Sequence, residues 1–168
     1  MERSFANKKS IAALAPLLAI LMGLLVLPVR IGHAAGAVEM QVERIVTTAI
    51  DEYNQAMESG DPEAWLKYFT DNVRRSSPLS SQQGKAALTE YYQGEFKNFK
   101  ARWNTKKTIV MGRSAAAVVD CEIAQRPGGA EAKTEMVIVF ELASSGRFES
   151  VDFYFDTAKV AKVIAAAK

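Results

Sequence analysis

Apolar residues between Val38 and Ser59 recur at spacings of three and four along the chain. This period places them on one stripe of an amphipathic helix. The stripe consists of Val42, Ile45, Val46, Ile50, Tyr53 and Met57. The pattern therefore predicts a helix that ends at Gly60, a residue that often follows a helix terminus.

Two further helices are predicted before the chain turns to strands. Asp61 and Pro62 favour the start of a short helix, which would bury Trp65, Leu66 and Phe69 and end at residues 70–72. After an extended segment at 73–78 and a polar loop at 80–84, a third helix is predicted from Gly84 to Phe99. Its apolar set is Leu88, Tyr91, Tyr92, Phe96 and Phe99.

The second half of the chain alternates apolar and polar residues, which is the period of a strand with one buried face. Predicted strands cover residues 103–111, 115–125, 134–142 and 147–156, and a last helix covers 158–168. Helices followed by meandering strands predict an α+β domain with helices packed on one face of an antiparallel sheet.

The N-terminus has the pattern of an export signal. Arg3, Lys8 and Lys9 precede an uncharged run at 11–29, and small residues follow Arg30. We expect cleavage after Ala34 or Ala37, so that residues 1–37 are removed and residues 38–168 act in the periplasm or outside the cell. The alternative is an uncleaved membrane anchor, because 19 uncharged residues approach the length of a membrane span.

Setting this segment aside changes the charge of the chain. Residues 1–37 hold four of the 21 basic residues and one of the 19 acidic residues, leaving 17 and 18 in the remainder. A nearly neutral domain gives no electrostatic reason to bind nucleic acid. We therefore expect no nucleic-acid partner, and membrane contact only through residues 11–29 if they are retained.

The same segment contains the only histidine, His33, and the remaining domain has one cysteine, Cys121. The domain therefore has no imidazole for a catalytic triad or a zinc site. One cysteine cannot form a disulfide within the chain. We expect no metal and no cofactor, and we interpret Cys121 as a buried, inert thiol.

Three motifs in order resemble those of a known superfamily. They are YNQAMESGD at 53–61, WLKYFTDN at 65–72 and GKAAL at 84–88. They resemble the nuclear transport factor 2-like superfamily, in its SnoaL-like and ketosteroid-isomerase-like branch. The resemblance implies a cone-shaped barrel, formed by a curved antiparallel sheet and three N-terminal helices, around an apolar pocket.

The resemblance also marks the catalytic positions of ketosteroid isomerases. It places Tyr53 at their helix tyrosine, Ser77 at their catalytic aspartate and Ile138 at their second oxyanion donor. Serine cannot abstract a proton without a neighbouring base. Only one of the three functional positions is thus retained, and the proton-abstracting one is lost.

Several other side chains are candidates for a functional role. Asp120, Asp152 and Arg126 resemble an epoxide-hydrolase set in type, but alternation turns both aspartates outward. Alternation allows one of Arg74 and Arg75 to face inward, where it could meet an anionic group of a ligand, but we interpret both as surface residues. Glu90 and Glu95 are interpreted as part of a solvated helix face. The predicted pocket residues are Tyr53, Phe69, Ser77, Cys121, Ile138, Val151, Phe153 and Phe155.

Three functions remain open from the sequence. The first is binding of a small hydrophobic molecule without the ketosteroid-isomerase acids. The second is an isomerase, cyclase or dehydratase that uses Tyr53 with an unassigned acid such as Asp71 or Asp120. The third is a homodimeric structural protein with a filled pocket. An inward carboxylate within hydrogen-bonding distance of Tyr53 across an open cavity would favour the enzyme.

Overall fold

The first helix sets one wall of the domain. The computed structural model describes residues 31–165, with side chains from residue 36 onward, and its compact unit starts at Ala37. Helix α1 spans Ile31–Ser59. It begins seven residues before the predicted Val38, in an alanine-rich stretch that favours helix. The predicted export signal lies mainly at residues 1–30, outside the described part of the chain.

The other helices are shorter. Helix α2 spans Glu63–Leu66, and the Asp61 carboxylate accepts the Glu63 amide at 3.0 Å. The prediction that this helix reaches residues 70–72 is wrong, because the chain is already a strand at Phe69. Helix α3 spans Lys85–Asn98 and helix α4 spans Thr157–Ala165. None of the described helices has the length and apolar character needed to cross a bilayer.

Six strands form one curved, unclosed sheet, which confirms the predicted α+β fold class. They are β1 Phe69–Ser77, β2 Ser80–Gln83, β3 Phe99–Met111, β4 Ser114–Gln125, β5 Glu131–Leu142 and β6 Phe148–Phe155. Their order is β2-β1-β6-β5-β4-β3. All pairs are antiparallel except β1 with β6, which is parallel.

Strand β2 corrects the predicted polar loop at 80–84. Its residues pair with β1 from Ser77–Ser80 to Arg74–Gln83 across a two-residue connection. The hydroxyl of Ser77 holds this turn, since it accepts the Ser80 amide at 3.1 Å. A polar four-residue strand at a sheet edge has no buried face of its own, so its sequence carries no strand period.

Aromatic side chains fill the interior between the helices and the sheet. Trp65 is fully buried, and its ring packs against Tyr53, Phe69, Tyr92 and Trp103 with centroids 5.0–6.1 Å apart. These edge-on contacts between large rings give the core both burial and a fixed geometry. They hold α1, α3 and β3 in register around the space that remains empty.

Candidate functional site

A cavity of about 360 Å³ lies on the inner side of the sheet. Its walls come from α1, α3, α4 and the inward faces of strands β1 and β3–β6. Most of the lining is apolar, including Ala101, Trp103, Met136, Phe153 and Val160. Leu79 and Asn98 line the cavity and are exposed to solvent, so they mark its mouth.

The cavity includes five of the eight predicted pocket residues. They are Tyr53, Ser77, Cys121, Phe153 and Phe155. The placement of the other three was wrong: Phe69, Ile138 and Val151 lie in the packed core with no exposed surface. The alternation of apolar and polar residues correctly predicts that these side chains face inward. It does not distinguish an inward side chain in the packed core from one that lines the cavity.

Tyr53 is held rigidly at the cavity wall. The next residue on α1, Asn54, pairs with the backbone of Trp103, donating to its carbonyl and accepting its amide at 2.9 Å each. This pairing fixes α1 against β3 and stacks the Tyr53 ring on the Trp103 ring, with centroids 3.5 Å apart. The Tyr53 hydroxyl is therefore aimed by two independent contacts.

That hydroxyl donates a hydrogen bond of 2.9 Å to the Oε1 atom of Glu95. The interpretation of Glu95 as part of a solvated face was wrong, because the side chain lines the cavity and is only partly exposed. Burial, followed by the charge of Glu95, raises the pKa of Tyr53 well above its ordinary value. The phenol thus remains a proton donor across the physiological pH range.

A second tyrosine lies one turn earlier on α3, where the same carboxylate acts on it. Tyr91 precedes Glu95 by four residues, so both lie on one face of the helix. Burial, then the charge of Glu95, raises the pKa of Tyr91, and a hydrogen bond to Glu95 acts in the same direction. Glu95 is the only acid among the described residues that line this cavity.

Arg75 supplies the opposite charge in the same cavity. It lies on the inward side of β1 and is 5% exposed, so its interpretation as a surface residue was wrong. Its Nη1 atom donates to the Ser80 hydroxyl and to Gln82 Oε1, each at 3.0 Å, and Nη2 donates to the Tyr91 hydroxyl at 2.9 Å. The guanidinium carbon lies 4.1 Å from the Tyr91 ring centroid and 4.7 Å from that of Phe153.

The charge state of Arg75 follows from these neighbours. Burial lowers the pKa of its guanidinium, but Tyr92, Tyr91 and Glu95 outweigh burial and the net pKa is raised. Arg75 is therefore a permanent cation. Its Nε atom is buried without a hydrogen-bond partner in the described chain.

The other candidate residues from the sequence do not come together in a second catalytic site. Ser77 lies at the position of the lost aspartate, and its hydroxyl accepts hydrogen bonds from the backbone of the β1–β2 turn. Asp71 and Asp120 are exposed, and Asp152 pairs with Arg74 on the outer side of the sheet. Arg126 donates to the Phe99 and Met57 carbonyls at 2.7 Å, so it ties strands to α1.

Cys121 lies at the cavity wall and is 6% exposed. Burial, then the charge of Glu95, raises the pKa of its thiol to about 12. A thiol in this state is a poor nucleophile. Among the described residues, no three side chains of histidine, cysteine, aspartate or glutamate are grouped as a metal site would require.

A larger groove of about 530 Å³ lies beside the end of α1 and strands β3–β5. Four of its charged side chains form exposed ion pairs. Arg102 lies 3.4 Å from Glu58, and Lys133 lies 2.6 Å from Glu122. Such surface pairs are typical of a solvated face, so we place the functional site in the smaller, more enclosed cavity.

A curved, unclosed sheet packed against helices around a cavity defines the nuclear transport factor 2-like fold. A protein of this fold and of unknown function from Burkholderia pseudomallei K96243 is 18% identical; the match covers 71% of this chain and 97% of that one, with a TM-score of 0.61. At this identity the likeness concerns the fold alone.

Two further solved structures share the fold. One is a proposed SnoaL-like polyketide cyclase from Jannaschia sp. CCS1, 20% identical, covering 77% of this chain and 94% of that one, with a TM-score of 0.65. The other is SalBIII, an epoxide hydrolase/cyclase-like enzyme of pyran ring formation in salinomycin. It is 21% identical and covers 72% of this chain and 95% of that one, with a TM-score of 0.63.

The family follows from the sequence itself. The model of the SnoaL-like domain matches residues 50–151, which is more than half of the chain. The chain therefore belongs to the SnoaL-like domain family. No curated protein matches it by sequence.

Proposed function

We propose that the cavity binds a small, largely apolar carbonyl compound and that Glu95 transfers a proton on it, as in an isomerase or cyclase of the SnoaL-like kind. The observation that carries the proposal is the hydrogen bond of 2.9 Å from Tyr53 to Glu95 inside an open cavity. This is the inward carboxylate that would separate an enzyme from a plain binding domain.

The chemistry assigned to Glu95 is general base catalysis. A carboxylate oxygen has two lone pairs, so the bond from Tyr53 leaves capacity to accept a proton from a ligand. Both phenols keep their protons because their pKa values are raised. They hold the carboxylate in place and stabilise its charge, while the apolar walls limit competition from water.

The relatives support this class of reaction without specifying a substrate. Two of the similar structures are those of a proposed polyketide cyclase and of an epoxide hydrolase/cyclase-like enzyme. Ring closure through carbon begins with removal of a proton beside a carbonyl, and ring closure through oxygen involves removal of a hydroxyl proton. A positioned base accelerates either step. We carry over only that class of step, since identities near 20% do not transfer residue roles.

The test is proton exchange on a simple ketone. 2-Tetralone, an apolar two-ring compound with acidic protons beside its carbonyl, is incubated with the protein in D₂O and followed by NMR. General base catalysis contributes roughly 10²–10⁴-fold, so we expect exchange above the buffer rate and a loss of about 100-fold or more in Glu95→Gln. Glu90→Gln, an exposed site on the same helix, is the matched control.

The outcomes separate the candidate functions. Exchange that disappears in Glu95→Gln but persists in Glu90→Gln supports the enzyme. Saturable binding of 2-tetralone without exchange in the unaltered protein would leave the domain as a binder of hydrophobic molecules, which is the second candidate. Absence of both binding and exchange would contradict a ligand cavity.

Export remains part of the proposal and is supported by the N-terminal sequence alone. The charged start, the uncharged run at 11–29 and the small residues after Arg30 are typical of an export signal. N-terminal sequencing of the protein from fractionated cells tests it. A start at Ala35 or Val38 outside the cytoplasm indicates cleavage, a start at Met1 in the membrane indicates an anchor, and a full-length cytoplasmic protein contradicts export.

A further inference from the structure

Arg75 is a buried cation without a carboxylate partner. Its hydrogen bonds go to the neutral side chains of Ser80, Gln82 and Tyr91. In the described chain, no acid forms an ion pair with it within 4.0 Å, whereas its neighbour Arg74 binds Asp152 through two bonds of 2.8 Å. Removing a charge from water without a direct counter-ion is strongly unfavourable, so Arg75 is an expensive residue for a purely structural role.

The surroundings of Arg75 fix its guanidinium and leave one of its donors unused. Tyr91 and Phe153 stack close to the guanidinium and fix its plane, and β2 holds one edge through Ser80 and Gln82. The Nε donor has no partner in the described chain. A planar guanidinium held in this way is suited to an oxygen anion that accepts two parallel hydrogen bonds.

The two charged groups are separated by one side chain. Tyr91 accepts a hydrogen bond from Arg75 and interacts through the same hydroxyl with Glu95. The cavity thus contains a cation on β1 and a carboxylate on α3, both beside the Tyr91 hydroxyl. An anionic group would be repelled beside Glu95 and attracted beside Arg75, so charge alone fixes the direction in which such a ligand enters.

From this arrangement we propose that the ligand is a small organic acid, whose carboxylate binds Arg75 while its apolar, ring-sized body reaches Glu95. The inference rests on the proposed function, because it names the class of molecule on which Glu95 acts. It adds a requirement that the proposed function does not contain, namely a permanent negative charge at the end of the ligand remote from the transferred proton.

Two probes of equal shape test the requirement. The affinities of 2-naphthoate and its neutral analogue 2-naphthamide are measured by titration calorimetry at pH 7.5 and low salt. We expect the unaltered protein to bind the carboxylate about tenfold more tightly or better, the range expected for a charge-assisted hydrogen bond. Equal affinities, or tighter binding of the amide, would overturn the inference without needing any variant.

Variants then assign the preference to one residue. Arg75→Gln should remove the preference for 2-naphthoate while changing the affinity for 2-naphthamide by less than about threefold. Arg74→Gln, on the outer side of the same strand, should retain the preference. A preference that survives in Arg75→Gln would place the anion elsewhere. If the glutamine variant does not fold, Arg75→Lys replaces it in the test. This variant keeps the positive charge but lacks the paired donors of the guanidinium, so it should weaken the preference for 2-naphthoate.

Failure of this inference is distinguishable from failure of the proposed function. If 2-naphthamide binds as well as 2-naphthoate and 2-tetralone still exchanges, the catalytic proposal stands and the organic-acid inference is wrong. If neither probe binds and 2-tetralone does not exchange, both are wrong.

Discussion

Residues of the same type have opposite environments on the inner and outer faces of the sheet. Arg74 and Arg75 are neighbours on β1, yet the outer one is paired with Asp152 in solvent and the inner one is buried among neutral groups. Tyr154 is 58% exposed on the outer face, whereas Tyr53 is fully buried and bonded to a carboxylate. The outer face resembles an ordinary protein surface, while the inner face retains costly polar groups next to empty space.

This difference identifies the inner face as the functional one. Buried charges and raised pKa values cluster where a protein performs chemistry, although structural networks also produce them. Here the cluster surrounds a cavity rather than a packed network, and Arg75 has no counter-ion in direct contact. The faces can be compared experimentally by placing the same change on each side.

The largest expected difference concerns thiol reactivity. The pKa of Cys121 is raised to about 12, compared with about 8.5 for a free thiol. At pH 8 the thiolate fraction is thus lowered by about 10³-fold, and iodoacetamide should label Cys121 correspondingly slowly. Asp120→Cys places a second thiol on the outer face, one residue away, where labelling should be fast. Mass mapping of the labelled peptide measures both rates.

The same pKa shift sets a pH dependence of stability. The folded-state pKa lies above that of the unfolded chain, so between pH 8 and 10 only unfolded molecules lose the thiol proton. Stability from this group is complete below about pH 8.5 and decreases as the pH rises. Cys121→Ser should weaken that decrease. Equal labelling of residues 120 and 121, or no change in the pH dependence, would contradict the environment described for Cys121.

Charge reversal gives the next largest effect. Arg75→Glu puts a second carboxylate into the cavity that contains Glu95, so we expect a loss of about 3 kcal/mol or more in unfolding free energy. Arg74→Glu faces Asp152 on an exposed surface, where the loss should be about 1 kcal/mol or less. Urea denaturation of both variants measures the difference. Similar losses at the two sites would show that the faces do not differ electrostatically.

Removal of one phenolic hydroxyl gives the smallest of these effects. Tyr53→Phe removes the hydrogen bond to the Glu95 carboxylate, which should lower the unfolding free energy by about 1–2 kcal/mol. The exposed Tyr154→Phe should change stability by less than about 0.5 kcal/mol. If both variants unfold at the same urea concentration, the hydrogen bond seen at Tyr53 contributes no measurable stability.

The sequence predicts the fold more completely than the site. Periodicity places α1, α3 and the four long strands, because each has one buried face whose residues repeat with the element. It misses β2, whose four polar residues have no buried side, and it extends α2 too far into β1. Stretches with aromatic residues on both sides of a boundary, such as Trp65 to Phe69, fit either element.

The site is less predictable because its residues are charged but face inward, contrary to the hydrophobic periodicity that locates helices and strands. Glu95 is a charged residue on a helix, and the usual interpretation of such a residue is exposure. Its position four residues after Tyr91, beside the buried stripe of Leu88, Tyr92 and Phe96, was the available signal. Arg75 is similar: alternation allows one arginine to face inward, but only the ion pair of Arg74 with Asp152 decides which. Residues that line the cavity and residues of the packed core also follow the same hydrophobic periodicity, so the sequence does not distinguish them.

The central claim is that the inner face of the sheet is the ligand site, and residue-resolved NMR tests it most directly. The isotope-labelled protein is titrated with 2-tetralone, and the backbone and side-chain shifts are followed on both faces of β4. We expect saturable changes at Cys121 and at the Tyr53 and Trp103 rings, with little change at Asp120 or Val118. Changes confined to the outer face, or no saturable change at the inner one, would contradict it.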